Sequence, residues 1–73
     1  MDVRRDLARN LRRLRLEQGW SQEDLADKAG LHRTYVSGVE RGVRNPTVTI
    51  VEKLAKTLGG TSADLLKGRG KGG

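Results

Sequence analysis

The sequence contains no cysteine and a single histidine. A disulfide framework and a zinc finger are both excluded, because each needs several thiol or imidazole groups at set spacings. The same lack of cysteine fits a reducing compartment, so a cytoplasmic location is expected. Aromatic side chains are almost absent, with one tryptophan and one tyrosine. That is too few for the stacking platforms on which single-stranded nucleic acids are held. No apolar run approaches the ~20 residues needed to span a bilayer, and no signal-peptide core follows the N-terminal arginines. A soluble chain is expected, and 73 residues give it one domain with a small core. Such a core seldom supplies more than about 3 to 5 kcal/mol of net stability.

The constellations of catalysis are missing too. His32 has no cysteine or acid at nucleophile or metal-ligand spacing, and its place before a helix suggests a cap or turn residue. The carboxylates are scattered among arginines. The C-terminal GRGKGG has the glycines and lysine of a phosphate loop but neither the Ser or Thr nor the helix that should follow. No enzyme activity, metal or cofactor is expected.

Positive charge is what the chain has in plenty. Fifteen Lys plus Arg stand against nine Asp plus Glu, a net charge of +6, and the isoelectric point is near 10.5. This is the field of a nucleic-acid binder, although small proteins are also basic for solubility alone.

Periodicity predicts an all-α fold. Val3, Leu7, Leu11 and Leu14, widened by Ala8, recur at helical spacing over residues 2–18. The other faces of that helix carry Arg4, Arg5, Arg9, Arg12 and Arg13. Leu16 looks exposed, and Trp20 is expected to pack across the junction that follows. Residues 21–42, SQEDLADKAGLHRTYVSGVERG, read as two short helices joined by a tight turn. Ser21 with Asp24 is a capping box opening a helix over 22–29, and Gly30 can take the left-handed conformation that closes it. A helix over 33–41 follows, closed by Gly42. Ala26 leaves room where the two helices cross, while Leu25, Ala29, Leu31, Val36 and Val39 face one core. Asn45-Pro46 marks a loop. Thr47 caps a helix over 48–58 that turns Ile50, Val51, Leu54, Ala55 and Leu58 inward. Thr61 with Asp64 caps a last short helix ending near Lys67. Residues 1–67 are thus expected to form the domain and 68–73 a flexible, basic, glycine-rich tail.

At these residues the sequence resembles the helix-turn-helix family of lambdoid phage repressors and Cro, the Xre-like group. The resemblance runs from about Leu7 to Leu66. It rests on Leu11, Leu14 and Arg15 before Gly19, then Ser21-Gln22, Leu25-Ala26, Gly30, Val39-Glu40-Arg41-Gly42, Asn45-Pro46, Leu54-Ala55, Leu58-Gly59 and Leu65-Leu66. It implies a compact five-helix bundle whose third helix lies in the DNA major groove. It also implies that Arg15 and Glu40 form a partly buried ion pair fixing the first helix to the third. Gly60 departs from the apolar residue usual in the family. Small size and a third helix opening with Arg-Thr-Tyr bring restriction–modification controller proteins nearest.

The expected partner is double-stranded DNA, with no membrane and no small-molecule ligand. Arg33, Thr34, Ser37 and Gly38 are the candidate base readers. The fork of Arg33 matches guanine O6 and N7, Thr34 and Ser37 can bond several base edges, and Gly38 permits a close approach or is simply a tolerated surface glycine. Arg33 can alternatively contact a phosphate. Gln22, at the positive end of its helix, and Arg13, Tyr35, Arg44 and Asn45 are candidate phosphate contacts; packing is the alternative for Tyr35. A homodimer on a two-fold related operator is expected, because one recognition helix reads only a few base pairs. Val48, Val51, Leu65 and Leu66 are its candidate interface, the alternative being that the two leucines close the monomer core. The function expected is a sequence-specific transcriptional regulator. A competing reading is an antitoxin-like interaction module with secondary DNA binding, which an apolar extension outside the motif would favour.

Overall fold

A computed structural model of the chain describes residues 3–68. Among them are five helices and no strand: α1 (Val3–Glu17), α2 (Gln22–Ala29), α3 (Arg33–Glu40), α4 (Val48–Thr57) and α5 (Ser62–Leu66). The all-α five-helix expectation holds, with boundaries shifted by a residue or so at the frayed ends. The expected tail lies outside the described residues except for Gly68.

Local chemistry sets where the helices start and stop. Ser21 Oγ accepts from the Asp24 amide and the Asp24 carboxylate accepts from the Ser21 amide, both at 2.9 Å. Hydrogen bonding to the carboxylate from the Ser21 backbone amide first, and then from the Ser21 side chain, holds the Asp24 carboxyl below its ordinary pKa. Thr61 and Asp64 repeat the box on α5, with the same effect on Asp64. Thr47 Oγ1 accepts from the Ile50 amide to open α4. At the far end of α2, Gly30 takes φ 70°. That conformation lets the Gly30 amide donate to Asp27 and the Leu31 amide donate back to Ala26 at 2.8 Å, so two carbonyls of the last turn are satisfied.

The helices close a circuit, since α1 packs on α3, α3 on α2, α2 on α4, α4 on α5, and α5 back on α1. Inside it Leu11, Leu25, Val36, Val39, Leu54 and Leu65 are fully buried. Val3, expected on the inner stripe of α1, is exposed at its first turn. Val51 and Leu65, expected at a dimer interface, belong instead to the core, being 6% and 0% exposed. The reason is economy of side chains: α5 has five residues, and Leu65 is the one it buries. Val48 and Leu66 do stay outside, 78% and 39% exposed. Gly60 leaves α5 undisturbed, because a Cβ there would come within 2.8 Å of the Asp64 carboxylate that caps the helix.

Asn10 is a buried feature that the apolar pattern hid. It is 3% exposed, and its Nδ2 donates to the carbonyls of Leu65 at 2.8 Å and Lys67 at 2.9 Å. One amide thus satisfies two carbonyls at the end of α5 and docks that helix on α1.

Candidate nucleic-acid interface

The inner row of α3, Val36 and Val39, is buried against its neighbours, which turns the opposite row outward. Arg33 and Thr34 are exposed in the first turn and Ser37 is half-buried one turn on. His32 occupies the N-cap position, as its place suggested, but its side chain makes no capping hydrogen bond. Its carbonyl accepts from the amides of Tyr35 and Val36.

Gly38 does not share the outward row. It is buried, and the volume a side chain would need is filled by the stem of Arg44 rather than left for a groove wall. The expectation that it reads bases is corrected on that ground. Arg44 and Asn45 are exposed in the loop after α3. The Arg44 guanidinium lies over the Tyr35 ring, 5.6 Å from its centroid. Tyr35 itself is half-buried against the core, so it packs while keeping a ring face toward Arg44.

The orientation of α3 is fixed from behind by a charged cluster. Arg15 Nε donates to Glu40 Oε2 at 2.6 Å and Nη2 donates to Oε1 at 3.0 Å, a two-pronged bond between side chains 9% and 3% exposed. Arg15 Nη1 donates to the Trp20 carbonyl at 2.7 Å. The bond to Glu40 outweighs the opposing effect of burial, so the Arg15 pKa is raised and its charge is permanent. Trp20 packs half-buried against the core, with the Lys28 ammonium 5.0 Å from its ring centroid.

Gln22 joins this cluster. Its Nε2 donates to Glu40 Oε1 at 3.1 Å, a link that sequence reasoning missed because the two residues sit on different helices. A primary amide has two donor hydrogens, so the bond to Glu40 uses one and leaves the second at the start of α2.

The arginines of α1 are divided by their 100° step around the helix. Arg13 is turned toward α5: it lines a hollow with Asn10 and Lys67 and pairs with Glu17 at 3.0 Å. Arg12 is on the other side, in an open groove of about 400 Å³ between α1 and the end of α3. Arg4, Arg5, Arg9 and Arg41 also line that groove. The helical wheel contained this division, but which flank meets α3 depends on tertiary packing. The geometry therefore favours Arg12 over Arg13 as the α1 arginine near α3.

A family model described as helix-turn-helix matches residues 11–66. A hypothetical transcription factor of Neisseria meningitidis is 49% identical over 65 residues, covering 89% of this chain and 61% of that relative. The chain thus spans under two thirds of the length of that protein. The control protein C.SmaI of Serratia marcescens is 44% identical over 70 residues, covering 96% and 83%. The crystal structure of the restriction–modification controller protein C.AhdI of Aeromonas hydrophila superposes with a TM-score of 0.81 at 44% identity, covering 85% of this chain and 94% of that one.

Proposed function

The chain belongs to the helix-turn-helix family, and from that premise we propose that it regulates transcription by binding a specific duplex DNA sequence. The observation that carries this reading is the outward row of α3, Arg33 and Thr34 with Ser37, held rigidly by the Arg15–Glu40–Gln22 cluster behind it. Arg33 contacts a guanine and Thr34 and Ser37 contact neighbouring edges, while Gln22, Arg44 and Asn45 hold phosphates on either side. The net charge of +6 strengthens attraction to any duplex and makes binding salt-dependent.

The protein acts as a symmetric homodimer. A single α3 offers too few base contacts for useful discrimination, and two copies set about 34 Å apart read a two-fold related operator. Val48 and Leu66, the apolar side chains of α4 and α5 left at the surface, are the contacts that support pairing in this region. Selection from a random duplex pool, followed by fluorescence anisotropy on the selected site, a scrambled duplex and the single strand, tests the reading. Preference for the selected duplex with a steep salt dependence is expected. Equal affinity for all three would overturn it.

A further inference from the structure

Gly38 stands in the middle of α3, where glycine is among the poorer helix formers and nothing in its backbone demands it. The only positive-φ residues among those described are Gly19, Gly30, Gly42 and Gly59, so Gly38 is not needed for a left-handed turn. What it supplies is room. A Cβ at position 38 would fall 2.5 Å from Arg44 Cγ and within 3.5 Å of Nε and Cδ. The Gly38 carbonyl also accepts the Val43 amide at 3.0 Å and the Arg44 amide at 3.2 Å, which ties the loop back onto the helix at this point. From there the Arg44 stem runs along α3 toward Tyr35, three residues and nearly one turn earlier, where the guanidinium meets the ring.

We propose that Gly38 is a positioning residue: by lacking a side chain it seats Arg44 along α3 and against Tyr35, so that the guanidinium meets the DNA backbone in one preset pose. This rests on the DNA-binding reading above and adds the means by which a loop arginine becomes part of the recognition surface. The Cγ position is set by rotation about Cα–Cβ of Arg44. Any side chain at 38 must therefore swing the whole arginine away from Tyr35 rather than nudge its far end. A released arginine has to be ordered again on each binding event, which lowers affinity by about two- to tenfold.

The test is a cycle of four proteins: wild type, Gly38→Ala, Arg44→Ala and the double variant. Affinity for the selected duplex, melting temperature and the side-chain proton shifts of Arg44 in the free protein are measured on each that carries the group. Alanine is the better helix former, so Gly38→Ala should hold or raise the melting temperature while weakening binding about two- to tenfold. The upfield ring-current shift that Tyr35 imposes on the Arg44 protons should collapse. In the Arg44→Ala background the same substitution should change affinity little. An equal loss in both backgrounds would overturn the proposal, since Gly38 would then act on DNA directly, as would an unchanged affinity or an unchanged ring-current shift in Gly38→Ala. If wild type bound no duplex while the shift was intact, the DNA-binding reading would fall and the seat would stand without that purpose.

Discussion

Truncating Glu40 to alanine should come close to unfolding the domain. The carboxylate is 3% exposed and takes three donors: two from Arg15 at 2.6 and 3.0 Å and one from Gln22 at 3.1 Å. Its removal leaves the Arg15 guanidinium, 9% exposed, with the Trp20 carbonyl as its remaining partner. Breaking one side of a buried pair costs about 3 to 5 kcal/mol, because the surviving charge stays out of water without compensation. The whole net stability of a core this small is about 3 to 5 kcal/mol, so the two quantities nearly cancel. Urea titration followed by far-ultraviolet circular dichroism should find Glu40→Ala largely unfolded at 25 °C before denaturant is added. Replacing both partners, Arg15→Met with Glu40→Leu, removes the buried charges together and should recover most of the midpoint, since apolar replacement of a buried pair is often near neutral. A loss below about 1 kcal/mol for Glu40→Ala, the range of an exposed pair, would refute the claim that this cluster anchors α3 to α1.

Acid should weaken the helix caps in a defined window. The carboxyls of Asp24 and Asp64 titrate below their ordinary 3.8 in the fold, so their contribution is complete above that pH and fades as pH falls through the lower folded values. Asp24→Asn with Asp64→Asn should flatten the urea midpoint against pH below about pH 4; an unchanged slope would show that the caps do not act through ionisation. Leu65→Ala should lose about 2 to 5 kcal/mol in urea titration as a core truncation. Leu66→Glu should sediment as a monomer, with a urea midpoint that no longer rises with protein concentration; dimers that survive it place the interface elsewhere. Arg33→Ala should lose roughly 1 to 3 kcal/mol on the selected duplex and relax preference at one base pair, whereas Gln22→Ala weakens all duplexes alike. Anisotropy on a panel of single-base variants checks both, and a uniform loss for Arg33→Ala would reassign it to a phosphate.

The helices and their punctuation were legible because they depend on neighbours in the chain. Ser21 with Asp24, Thr61 with Asp64 and the glycine after α2 each act within a few residues, and the structure reproduces all three. The same holds for the inner rows of α2 and α3, where spacing alone decides which side chains share a face. Legibility fell where a residue's role depends on a distant element. Nothing near Asn10 in sequence marks it as the partner of carbonyls 55 and 57 residues away, and an asparagine between apolar positions reads as a surface residue until α5 is laid on it. Val51 reads both as an inner residue of α4 and as a candidate interface residue, and Leu65 as either interface or core closure, because faces can be counted in the sequence but the space to be filled cannot; burial of the α5 leucine is decided by how the circuit of helices closes.

Gly38 shows the same limit in the site itself. On a helical wheel it falls among candidate readers, and a missing side chain there suggests room for DNA. In the fold the room is already taken by Arg44, from a loop six positions further along the chain. Recognition surfaces in so small a domain therefore cannot be assigned from α3 alone, because the loop that follows folds back over the helix. On the reading proposed above, Arg33, Thr34, Ser37 and the returning Arg44 act together as the recognition surface, with Tyr35 and Gly38 as its support. A substitution at either supporting position should act through the arginine they hold, and it is this dependence on Arg44 that separates support from direct contact.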